Sequence, residues 1–102
     1  MVRLVVQPAA KRYFKKLKDK SLQQLFKNTI ATIIENPSIG EKKHADLRGI
    51  QCVDIHYNQA DYELAYYVTD IENEKGLKET VVIIMLAGTR ENFYKELKRY
   101  WK

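Results

Sequence analysis

The stretch Thr80–Ala87 reads TVVIIMLA, eight residues with no charge and, after the threonine, no polar side chain. A run this apolar and this rich in β-branched residues predicts a strand buried on both faces, the natural centre of a sheet. On its N-terminal side Asp70–Glu79 is polar and contains Gly76, and on its C-terminal side Gly88-Thr89 turns the chain into a last helix. In that helix Phe93, Leu97, Tyr100 and Trp101 are spaced to pack inward, and Lys95, Lys98, Arg99 and Lys102 to face water.

The remaining segments supply the partners such a strand needs. Val2–Gln7, VRLVVQ, reads as a strand that Pro8 ends while offering a good first helical position. From Ala9 to Lys18 the apolar positions Ala10, Tyr13, Phe14 and Leu17 share one helical face, and Lys11, Arg12, Lys15, Lys16 and Lys18 take the others. Ser21 and Gln24 have capping-box spacing, which starts a second helix on the stripe Leu22, Leu25, Phe26, Thr29, Ile30, Ile33 and Ile34. Asn36-Pro37 ends it, so the two helices form an αα-hairpin. Pro37–Gly49 is a basic connection, and Ile50–Tyr57 then alternates with Val53, Ile55 and Tyr57 on one side and Cys52, Asp54 and His56 on the other. Asn58–Asp61 is turn-like and Tyr62–Val68 is the returning strand of a hairpin. The order β-α-α-β-β-β-α predicts an α+β fold, a small antiparallel sheet packed on an N-terminal helical hairpin with its other face partly open.

A chain of 102 residues fits one domain spanning 1–102, and 45% hydrophobic residues suffice for its core. The single cysteine, Cys52, excludes an internal disulfide, and no Cys/His spacing suggests zinc. No signal-peptide run and no stretch of ~20 apolar residues is present, so a cytoplasmic protein with no membrane, metal or cofactor is expected. The net charge of +5 suits a polyanion or an acidic partner. No phosphate loop, paired-histidine metal helix or nucleophile elbow occurs, which weighs against the usual small-molecule enzymes.

Candidate chemistry lies on the strands. Asp54 and His56 are two apart and share a sheet face, Glu63 belongs to the neighbouring strand, and Arg90 and Tyr94, one helical turn apart, follow the buried strand. Such a set suits RNA cleavage by 2′-hydroxyl attack, with a base for the proton, a cation for the phosphorane and an acid for the leaving oxygen. Lys42, Lys43, Arg48, Lys11 and Lys15 are the candidate RNA-binding cations. Each residue also has a plainer reading: His56 as hydrogen-bond partner of Asp54, Arg90 in an ion pair with Glu91 or a strand carboxylate, Tyr94 in aromatic packing, and the basic helix face as a solvated surface.

The strand, the helical hairpin, Leu47-Arg48-Gly49, Tyr62-Glu63-Leu64-Ala65-Tyr66, the apolar strand and the closing Ala87-Gly88-Thr89-Arg90-Glu91-Asn92-Phe93-Tyr94 occur in an order that resembles the RelE/ParE toxins of type II toxin–antitoxin systems. The resemblance implies a microbial-RNase-like sheet on two helices, a cognate antitoxin partner, and either ribosome-dependent mRNA cleavage or poisoning of DNA gyrase. Arg90 matches the arginine after the last long strand, and Tyr94 is similar to the C-terminal tyrosine, at a shorter spacing. Asp54 and His56 stand where the RelE pattern has two lysines, and Glu63 where it has an arginine. Other ribosome-dependent members use a Glu and a His with an Arg, so Glu63, His56 and Arg90 form an alternative acid–base set. The readings that follow are an mRNA-cleaving toxin, a non-catalytic gyrase inhibitor, or a decayed toxin that only binds its antitoxin.

Overall fold

A computed structural model describes residues 2–101. The chain runs β1 (Val2–Val6), α1 (Pro8–Lys16), α2 (Lys20–Glu35), β2 (Glu41–Lys42), a 3₁₀ turn (Ala45–Leu47), β3 (Ile50–Tyr57), β4 (Ala60–Glu72), β5 (Lys78–Thr89) and α3 (Phe93–Tyr100). The five strands form one sheet in the order β1-β5-β4-β3-β2, with β1 parallel to β5 and the other pairs antiparallel. The apolar run lies in β5, inside the sheet between β1 and β4, and Val81–Ala87 are all buried. The middle position of the sheet belongs to β4. No helix among the described residues is long and apolar enough to cross a membrane.

One sheet face carries α1 and α2. There Ala10, Leu22, Phe26 and Ile33 pack on Ile55, Leu64, Tyr66, Val82, Ile84 and Ala87. The other face is covered in part by α3, where Phe93 and Leu97 meet Cys52, Ala65, Met85 and Leu86. A bulge separates the two sets along β5: Ala65 faces Leu86 while Tyr66 faces Ile84, so Met85 is the extra residue. Met85 and Leu86 both join the α3 layer and Ala87 returns to the α1–α2 layer, so the inside–outside phase of the strand reverses just before its C-terminal end.

Several boundaries differ from the sequence reading. The cap of α2 is Asp19, whose carboxylate accepts from Leu22 N–H at 3.1 Å, so Ser21 lies inside the helix and no capping box forms. α1 ends at Lys16, short of Lys18. The polar stretch 70–79 is mostly strand: pairing continues through Asp70↔Thr80 to Glu72↔Lys78. Asn73 Oδ1 then accepts from Lys75 and Leu77 N–H and closes the turn. With both faces of this ribbon reaching water, no hydrophobic alternation marks it. Gly88-Thr89 belongs to β5, and the chain turns later, at Asn92 with φ of 63°. Tyr100 is 46% exposed rather than packed inward. The β3–β4 turn is shorter than read, only Asn58 and Gln59, both with positive φ.

Candidate active site

The two-residue turn sets the register that assembles the site. Asp54 lies opposite Glu63 and His56 opposite Asp61, four polar residues in a block on the face that carries α3. Glu63 also lies opposite Gly88 of β5, which contributes no side chain.

Glu63 is completely buried, the one charged residue type found in the core among the described residues. Its Oε2 accepts from the Tyr94 hydroxyl at 2.8 Å. Its Oε1 has no hydrogen-bond partner and lies 3.6 Å from Arg90 Nε, an ion-pair contact beyond hydrogen-bond length. Burial, followed by Asp54, pushes the Glu63 carboxyl up to about 7, against the opposing pull of Tyr94 and Arg90. The carboxyl is therefore poised to exchange a proton near neutrality.

Arg90 is more than half exposed, and its backbone N–H donates to Asp61 C=O at 3.0 Å, which anchors the residue beside β4. Tyr94 stands in the first turn of α3, edge-on to Phe93. Burial raises the Tyr94 hydroxyl to about 12, helped by Glu63 and opposed by Lys43. Cys52 lies on the same face, its thiol pushed up to about 12 by burial and by Glu63, which makes it a poor nucleophile.

The His56 ring is exposed, and its Nδ1 lies 2.8 Å from Asp61 Oδ1. Its partner is thus Asp61, not Asp54 as the plainer sequence reading had it. With Nδ1 turned to Asp61, Nε2 is the nitrogen left to face the solvent. Asp54 is exposed beside it.

Of the basic candidates, Lys43 reaches the centre: its Nζ sits 4.9 Å from the centroid of the Tyr94 ring and pairs with Glu41. Burial works against the ammonium but is outweighed by Glu41 and Tyr94, so its pKa rises. Lys42, Lys43 and Arg48 share a shallow cleft with His44. Lys11 and Lys15 are exposed on α1, whose buried side packs on the opposite sheet face, so they stand apart from Glu63. The sequence reading missed Asp61 and Glu41. The Asn58-Gln59 turn carried the signal for Asp61, because a two-residue hairpin places 56 opposite 61; nothing local signalled Glu41, since β2 is only two residues long.

Residues 4–98 match the family model described as ParE-like toxin of type II bacterial toxin-antitoxin system. Among solved structures, a free double arginine-to-alanine variant of E. coli toxin RelE superposes with a TM-score of 0.63 at 18% identity, covering 95% of each chain. The intact E. coli RelBE toxin–antitoxin complex gives a TM-score of 0.56 at 20% identity, covering 84% of this chain and 93% of that one. At those identities the structures establish a shared RelE-like fold. No curated protein matches in sequence.

Proposed function

The chain belongs to the ParE-like toxins of type II bacterial toxin–antitoxin systems, and from that premise we propose that it arrests growth by cleaving mRNA on the ribosome until an antitoxin binds it. The RelBE structure is a toxin–antitoxin complex; a partner of that kind, acidic enough to complement a net charge of +5, suits this chain as well.

The observation that carries the reading is the buried Glu63 carboxyl, titrating near neutrality beside the Arg90 guanidinium. In this account Glu63 takes the proton of the ribose 2′-hydroxyl, and the freed 2′-oxygen attacks phosphorus. Arg90 stabilises the charge that builds on the phosphorane. The bond from phosphorus to the 5′-oxygen breaks, and protonated His56 supplies that oxygen with its proton through Nε2 while Asp61 holds Nδ1. The products are a 2′,3′-cyclic phosphate and a free 5′-hydroxyl. Tyr94 covers Glu63 and must release Oε2 as RNA enters, Asp54 keeps the carboxyl basic, and Lys42, Lys43 and Arg48 hold neighbouring phosphates.

A second reading, gyrase inhibition without catalysis, is favoured by one specific observation: Glu63 is fully enclosed, and the exposed part of the face carries the carboxylates of Asp54 and Asp61, which repel phosphate. Controlled expression separates the two. The Arg90→Ala, His56→Ala double variant is expected to lose growth arrest while still folding. Full arrest in that variant, accompanied by loss of plasmid supercoiling, would transfer the case to gyrase.

A further inference from the structure

At the far end of α3 from Glu63 lies a cleft that the proposed chemistry does not use. It encloses about 440 Å³, with Tyr67, Met85, Tyr100 and Trp101 as its apolar wall and Gln7 and Arg12 on its polar side. The aromatic surface is preformed. Trp101 Nε1–H donates to Arg48 C=O at 3.1 Å, the indole lies so close to Gly49 that an added Cβ would come within 3.1 Å of it, and the Tyr67 ring lies 5.0 Å away. Arg12 leads from this cleft into an adjoining one, which shares Ala9 and Tyr100 and adds Lys16 on the α1 side and Glu91 and Glu96 toward α3.

Aromatic rings with an arginine can anchor either a protein or a nucleic acid, and the surroundings decide between them. After Pro8 every exposed residue of α1 is basic: Lys11, Arg12, Lys15 and Lys16. None of these makes an ion pair among the described residues. Of this row Arg12 and Lys16 border the two clefts; lysine is depleted from protein interfaces, whereas lysine and arginine side chains commonly hold phosphates. We infer that the Tyr67–Tyr100–Trp101 cleft takes one unstacked nucleobase of single-stranded RNA, with Arg12 and Lys16 on the adjacent phosphates. The ligand class rests on the RNA-directed reading above. Tyr67 is four residues along β4 from Glu63, about 13 Å at strand rise, so the cleft grips RNA away from the scissile bond.

Trp101 is the sole tryptophan of the chain, so its fluorescence reports the cleft directly. Titration of the whole protein with a 2′-O-methyl hexaadenylate, which has no free 2′-hydroxyl to attack, should quench that fluorescence saturably. Tyr100→Ala should weaken binding about tenfold, the scale of one lost base–aromatic stack. Arg12→Gln should weaken binding and lower the log–log salt slope by about 0.7, one phosphate contact on a single strand. Both side chains are exposed, and circular dichroism checks that each variant is folded. Glu63→Gln should be quenched like the wild type. Quenching without mRNA cleavage in translation reactions would remove the nuclease reading and leave the cleft, and cleavage without quenching would remove the cleft alone. Absence of saturable quenching, quenching unchanged in both cleft variants, or quenching by the antitoxin but not by the oligonucleotide would each overturn the inference.

Discussion

At the scale of single residues, Glu63 dominates, because a carboxyl buried with one unpartnered oxygen couples folding to pH. The unfolded chain gives up this proton near the ordinary value of 4.5, and the folded protein holds it to about 7. Between those values the native state binds more protons, so Glu63 makes stability fall as pH rises through the window. Thermal melts should show this fall in the wild type and a flatter profile in Glu63→Gln, with the variant the more stable at pH 8 and the difference shrinking toward pH 5. Tyr94→Phe removes the donor that holds the carboxyl down, so the Glu63 titration followed by NMR should move upward. That variant should also lose roughly 1–3 kcal/mol of stability above pH 7, the usual cost of stranding a buried acceptor. Period-two alternation made it legible that Asp54 and His56 share a face and that Glu63 belongs to the neighbouring strand, but the register was not, because Asn58–Asp61 reads as a four-residue turn and only Asn58 and Gln59 form it. The burial of Glu63 was not legible, since it depends on Tyr94 arriving from α3, a contact between residues 31 apart in the chain.

At the scale of elements, the amphipathic helices and the apolar strand were readable because each buries a single stripe or a whole run. The cap of α2 shows where local rules compete. Ser21 and Gln24 fit a capping box, yet Asp19 takes the position, and its carboxylate also accepts from the Tyr57 hydroxyl at 3.0 Å, tying the helix start to β3. Asp19→Ala should therefore cost about 1 kcal/mol or somewhat more in denaturant unfolding, while Ser21→Ala should change stability by less than about 0.5 kcal/mol. The β4–β5 ribbon and β2 escaped the sequence reading for different reasons: the ribbon is polar on both faces, and β2 is too short to carry a period. The bulge at Met85 was equally hidden, because in a run apolar on both sides a one-residue phase change leaves no trace in composition.

At the scale of the whole molecule, element order implied a helical hairpin on one sheet face, and the structure adds that β1 joins β5 in parallel at the sheet edge. A parallel neighbour requires a crossover, and which edge it reaches is decided by packing of α1 and α2 rather than by any local pattern. The charge is then divided around the sheet: Arg90 and Lys43 stand by Glu63, Arg12 and Lys16 border the clefts beside α3, and Lys11 and Lys15 stand apart on the outer side of α1. If both faces touch RNA, as a protein enclosed by a ribosome requires, the Lys11→Gln, Lys15→Gln double variant should fold normally. It should bind ribosomes with a log–log salt slope lower by about 1.4–1.8, the loss of two phosphate contacts.

The central claim is that the Glu63–Arg90–His56 face cleaves mRNA only on the ribosome. It is tested most directly in a purified translation reaction programmed with one defined mRNA, mapping new 5′ ends by primer extension with and without ribosomes. Cuts are expected at codons in the A site, dependent on ribosomes and abolished in the Arg90→Ala, His56→Ala variant. Intact mRNA with undiminished translation at toxin concentrations that stop growth would contradict it.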